Sequence, residues 1–100
     1  MIVVFRTRKL EREYVESREA IRAYGKETAR RYIERINIIK KAADIEQLER
    51  LPGLKCHPLI GNKKGKWSMT LVGRMRLIFA LSGEQLEIVT IEEVSKHYDQ

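Results

Sequence analysis

The chain has 100 residues, 20 Lys or Arg against 14 Asp or Glu, a formal net charge of +6, and a single cysteine. That length supports one modest core, so residues 1–100 are expected to form a single domain. One cysteine excludes an internal disulfide and a multi-cysteine zinc site, and no apolar run approaches membrane-spanning length; with Ile2-Val3-Val4-Phe5 running straight into Arg6, a soluble cytoplasmic protein is expected.

The charge is unevenly placed. Residues 1–50 carry 13 basic and 9 acidic side chains, residues 51–83 carry 6 and 0, and residues 84–100 carry 1 and 5. An acid-free basic segment followed by an acidic tail predicts a polyanion-binding surface edged by carboxylates, and phosphodiesters are the commonest such partner.

Met1 to Thr7 is a β-branched and aromatic run without helical period, which predicts a first strand. From Lys9 to Tyr24, Leu10, Tyr14, Ser17, Ile21 and Tyr24 share one helical face, and Gly25 offers a C-cap. A second helix is predicted where Ala29, Tyr32, Ile36, Ile39 and Ala43 line up, with Arg30, Arg31, Glu34 and Arg35 mostly turned away. A short helix follows over Ile45 to Arg50, with Asp44 as N-cap and Pro52-Gly53 as stop.

After Leu54 the texture changes to short strands punctuated by glycine. Lys66 to Val72, Met75 to Leu81 and Gln85 to Ile91 alternate or run apolar, with Gly73-Arg74 and Ser82-Gly83-Glu84 as turns; Glu92 to Tyr98 suits a final turn or short helix. The expected fold class is α+β: an N-terminal strand and two to three helices packed on a C-terminal antiparallel sheet.

Several side chains in the basic half suit phosphate chemistry. If Leu77, Phe79 and Leu81 face the helices, alternation puts Arg76 on the opposite, open face, where a guanidinium suits a phosphate or a pentavalent phosphorane; the plainer alternative is a partner for Glu87 or Glu93. His57 precedes Pro58, which favours an extended backbone, and its imidazole can exchange a proton near neutral pH. Lys63, Lys64 and Lys66, between and beside Gly61 and Gly65, read as a basic flap over an RNA backbone, with Arg74 nearby. Trp67 serves either the core or a stacked base, and His97 and Tyr98 matter only if the tail folds back beside Arg76. Walker loops, dinucleotide fingerprints, nucleophile elbows and paired metal-spaced histidines are absent. The residues present are enough to cleave RNA without a metal or cofactor, since the ribose 2′-hydroxyl is an internal nucleophile.

The order His57-Pro58-Leu59, Gly61, Gly65-Lys66-Trp67-Ser68 and Arg76-Leu77-Ile78-Phe79 resembles the HigB branch of the RelE superfamily, the toxins of type II toxin–antitoxin pairs. The resemblance implies a microbial-ribonuclease-like fold and a metal-independent endoribonuclease that enters the ribosomal A site and cuts messenger RNA there. It also implies a cognate antitoxin, and no membrane. It places Arg76 at the sheet arginine that contacts the scissile phosphate and His57 at the histidine of the His-Pro-Leu motif. Proton handling then falls to His57 with Glu93 or His97. Related toxins often carry a lysine directly after His-Pro-Leu, where this chain has Ile60. Close relatives often end in an acidic-Tyr-His cluster, whereas here Glu92-Glu93 is separated from His97-Tyr98 by Val94-Ser95-Lys96. The alternatives are a same-fold toxin that inhibits by binding, as the ParE-like gyrase poisons do, and a non-catalytic RNA- or ribosome-binding module.

Overall fold

The computed structural model describes residues 1–61 and 65–96. Strand β1 (Ile2–Phe5) leads into α1 (Arg8–Val15), α2 (Ser17–Tyr24), α3 (Lys26–Lys41) and α4 (Ile45–Arg50), after which come β2 (His57–Pro58), β3 (Lys66–Thr70), β4 (Arg76–Ser82) and β5 (Ile88–Ser95). The α+β arrangement expected from the sequence is present: an N-terminal strand, then helices, then a sheet built mostly from the second half. Asp44 caps α4 by accepting from Gln47 N at 2.9 Å, as its position predicts, and Thr7 Oγ1 caps α1 by accepting from Leu10 N at 3.1 Å.

The region read as one helix from Lys9 to Tyr24 is two. Glu16 takes an extended conformation at φ −116°, ψ 101°, closing α1 with its N–H on Arg12 O and opening α2 with its carbonyl on Glu19 N. The break re-aims the second half. In α2 the fully buried residue is Ala20, while Ile21, expected to face inward, is 44% exposed. A straight helix from Arg8 to Tyr24 would run about 25 Å in one direction. The kinked pair instead brings Tyr24 back over α1, where its hydroxyl donates to Glu13. Gly25, at φ 87°, then starts α3 in a conformation that a side chain would strain.

Helix α3 buries Ala29, Tyr32, Ile36 and Ile39, the face its periodicity predicts. The end of that face falls on Ala42, with Ala43 exposed. Arg35, expected to point away, is 8% exposed because its Nε reaches the end of β3 and donates to Thr70 O at 3.1 Å.

The sheet has five strands in the order β1-β5-β4-β3-β2. The hairpins β2–β3, β3–β4 and β4–β5 are antiparallel, as expected, but β1 inserts parallel to β5, pairing Ile2 with Ile88 and Phe5 with Ile91. A helical crossover between β1 and the later strands is what allows that parallel pair. Met69, Leu77, Phe79, Val89 and Ile91 face the helices and are fully buried against Tyr32, Ile36 and Ile39. Strand β5 continues to Ser95, through part of the segment expected to form a final turn or short helix.

Candidate functional site

The face of the sheet turned away from the helices carries several of the side chains singled out from the sequence. Register defines it in rows. His57, Ser68, Ile78 and Glu93 lie opposite one another across β2, β3, β4 and β5; Thr70, Arg76 and Ser95 form the row on one side, and Lys66, Ala80 and Thr90 the row on the other. Ser68 and Ile78 are 1% and 2% exposed and make a closed floor, although neither belongs to the helix-packed core.

A bulge in β5 adds a second carboxylate. Ile78 pairs with Glu93 and Phe79 with Ile91, so Glu92 has no opposite number on β4. Two residues oppose one, and the alternation slips. Ile91 and Val94 keep to the helix side, while Glu92 and Glu93 both turn to the open face. Glu92 Oε1 lies 2.8 Å from Lys66 Nζ and 3.5 Å from Arg6 Nε. Sequence reasoning singled out Glu93 and passed over Glu92 and Arg6, because it read Glu92 to Tyr98 as a final turn or short helix rather than as part of the strand that pairs with β1.

Arg76 stands on the open face as its alternation predicts. Its Nη1 donates to Thr70 Oγ1 at 3.2 Å, Gly73 O at 2.8 Å and Met75 O at 3.1 Å, tying the guanidinium to the turn between β3 and β4. Nε and Nη2 have no hydrogen-bond partner among the described residues, so a planar pair of donors is left for a ligand. Glu87 Oε1 accepts instead from Gln85 N at 3.1 Å. Behind Arg76, Thr70 is held from the helical side by Arg35, whose guanidinium is drawn below its usual pKa by burial, an effect opposed by Glu34.

His57 is half-buried, with Nδ1 3.2 Å from Pro58 O. Three strand spacings separate its row position from Glu93, about 14 Å between backbones, so any ligand touching both must span the sheet. Lys66 is 36% exposed by side chain and Arg74 is exposed in the β3–β4 turn. Trp67 points the other way: it is half-buried against the core with its ring stacked on Phe79 at 6.3 Å. Alternation put it on the helix side with Met69, and the neighbouring Phe79 completed the burial. Lys63, Lys64, His97 and Tyr98 lie outside the described residues. Ile60, where a lysine was the comparison, is 73% exposed.

Two features belong to the scaffold. Cys56 is buried, and burial, with Glu49 nearby, pushes its thiol pKa up to about 12, so it stays protonated and unreactive. A cleft of about 440 Å³ on the helical side holds Glu13, 2% exposed, which accepts from Lys9 Nζ at 2.8 Å and from Tyr24. Burial first, and then Glu13, raise the pKa of the Tyr24 hydroxyl and of the Tyr32 hydroxyl, and both remain donors. Among the described residues no three of His, Cys, Asp and Glu are grouped to hold a metal ion, and no helix is long and apolar enough to cross a membrane.

No family model and no curated protein matches the sequence, but solved structures match its fold over nearly their whole length. A YoeB/ParE toxin from Agrobacterium tumefaciens is 24% identical, with 98% of this chain and all of that chain covered and a TM-score of 0.58. The heterotetrameric YoeB-YefM toxin–antitoxin complex from Staphylococcus aureus gives 18% identity, 98% coverage of each chain and a TM-score of 0.60. A mutant of YafQ from E. coli gives 17% identity, 94% and 90% coverage and a TM-score of 0.60. The chain therefore has the RelE-like toxin fold that the HigB resemblance implied, and its structural neighbours include a YoeB/ParE toxin and a toxin–antitoxin complex.

Proposed function

We propose that this chain is the toxin of a toxin–antitoxin pair, a metal-independent endoribonuclease of the HigB type that cuts messenger RNA in the ribosomal A site and is neutralised in the cytoplasm by a cognate antitoxin. The observation that carries this is Arg76, fixed by its Nη1 to the β3–β4 turn with Nε and Nη2 open toward a carboxylate- and cation-bearing sheet face. A guanidinium held in advance of the reaction stabilises the dianionic phosphorane without reorganising. In the reaction, the ribose 2′-hydroxyl attacks the neighbouring phosphorus and gives up its proton. The bond to the 5′-oxygen breaks, and that oxygen takes a proton. His57 handles one proton and Glu93 or His97 the other, while Lys63, Lys64, Lys66, Arg74 and Tyr98 grip the RNA.

The test is induction without an antitoxin, followed by mapping of messenger RNA ends on translating ribosomes. Cleavage that stops with Arg76→Ala in a folded protein is expected. Unimpaired growth and intact messages with soluble, folded wild-type protein overturn the proposal. The exposed Ile60 in place of a lysine favours one second reading, a toxin of the same fold that acts by binding. Gyrase poisoning would leave broken DNA and intact messages, which separates the two.

A further inference from the structure

Lys66 grips the RNA in the reading above, but its ion-pair partner Glu92 and the neighbouring Arg6 have no part in it. The three residues join three strands across a fourth. Arg6 follows β1, Lys66 opens β3 and Glu92 is the bulged residue of β5. Lys66 passes over β4 at Ala80, its cross-strand neighbour, whose methyl group is short enough to let the lysine reach Glu92. Both cations meet the same carboxylate oxygen, at 2.8 Å and 3.5 Å, and Arg6 Nε is also held at 3.0 Å by the Glu92 carbonyl. The Nη groups of Arg6 have no partner among the described residues.

This arrangement has the form of a bound anion. One carboxylate oxygen sits between an ammonium and a guanidinium on a face otherwise suited to RNA, and a phosphodiester carries the same single charge on two oxygens. We propose that Lys66 and Arg6 form a second phosphodiester subsite for the RNA strand, and that Glu92 is its built-in competitor, occupying both cations until RNA replaces it. The inference rests on the RNA-binding reading above. Arg76 and Ala80 are four residues apart on one strand, about 13 Å, so the subsite holds a different phosphate from the one at Arg76. The exchange is easy on the cation side, because Lys66 is 36% and Arg6 55% exposed and such pairs are weak. It is costly on the carboxylate side, because Glu92 is 15% exposed and stays beside the incoming phosphate. The effect is to weaken casual binding to any RNA while leaving a site that a well-placed strand can occupy.

The test uses the purified chain and a fluorescent single-stranded RNA with every 2′-hydroxyl methylated, which binds but cannot be cut, titrated at a series of salt concentrations. Glu92→Gln keeps the shape and frees both cations. It should bind more tightly than wild type, with a salt slope steeper by about 0.7 for each cation freed, equivalent to about sevenfold more affinity lost between 50 and 200 mM salt when both are free. Adding Lys66→Gln to Glu92→Gln should remove about half of that extra slope. Wild-type binding with an unchanged slope in Glu92→Gln overturns the subsite alone, as does a gain that survives Lys66→Gln together with Arg6→Gln. Absence of binding by wild type and Glu92→Gln alike at low salt overturns the RNA reading itself.

Discussion

Truncating Arg76 to alanine separates the stability of this site from its chemistry. The guanidinium makes three hydrogen bonds through one nitrogen, to Thr70 Oγ1, Gly73 O and Met75 O. Two of the acceptors are carbonyls at a turn, and Gly73 is exposed, so water replaces much of what is lost. A hydrogen bond of this kind contributes about 1 kcal/mol net, and with solvent replacement the whole change should cost about 1 kcal/mol. For a chain of this size that is about 4–8 °C in melting temperature, well short of unfolding at the growth temperature of a mesophile host. The catalytic loss is expected to be far larger. Removing one preorganised donor to a developing oxyanion typically costs about 10²–10³ in rate, or 2.7–4 kcal/mol at the transition state. The assay is primer extension on a reporter message in a translating extract, alongside thermal melting of the same preparation. Arg76→Lys restores the charge without the fork and should recover only a small part of the rate. Cleavage within about threefold of wild type by folded Arg76→Ala would refute the argument, since threefold is only about 0.7 kcal/mol of transition-state stabilisation.

Three further outcomes follow from the same coordinates. Tyr32→Phe strips the donor from Leu10 O, which it reaches at 2.7 Å in the buried interior, and should destabilise the chain by about 1–3 kcal/mol in urea unfolding with no change in slope. Cys56 has its pKa raised to about 12 in the folded state against 9.0 unfolded, so its contribution is complete below pH 9 and is lost as pH rises from 9 toward 12. Tyr24 and Tyr32 are shifted in the same direction, so Cys56→Ala should flatten, without abolishing, the alkaline fall in unfolding free energy measured by denaturant titration. Ile60→Lys, at a position 73% exposed, should leave stability within about 0.5 kcal/mol and steepen the salt dependence of RNA binding by about 0.7; an unchanged slope would place Ile60 outside the RNA path.

What could be read from the sequence was what depends on neighbours along the chain. Period-two alternation in Arg76-Leu77-Ile78-Phe79 was enough to put Arg76 opposite the core, because side-chain direction in a strand is a local property. The 3.6-residue spacing of Ala29, Tyr32, Ile36 and Ile39 likewise sufficed for the buried face of α3, and Asp44 for its helix start. The acid-free run from Leu51 to Gly83 marked the basic half before any strand was placed. Other features depended on partners distant in sequence. Arg35 looks like a surface residue of α3 until Thr70 of β3 supplies a carbonyl for it. Trp67 carries the same local signal whether its neighbour is a base or Phe79. Glu16 breaks the first helical region, and nothing in its own residue type announces an extended backbone.

The carboxylates of the open face mark the boundary most clearly. From the sequence alone, Glu92 and Glu93 open a final turn or short helix, and in a regular strand one of the two would face the core. Only the pairing of β5 with β4 creates the bulge that turns both outward, since a bulge is a mismatch of length between two strands and is not contained in either. The parallel insertion of β1 beside β5 is of the same kind: it closes the sheet with residues more than eighty positions apart and brings Arg6 to Glu92. Local pattern thus determined the α+β class, the buried face of α3 and the position of Arg76. Tertiary pairing decided which charges share that face with it, because contacts between distant segments are set by the packing of the whole sheet and not by the residues on either side.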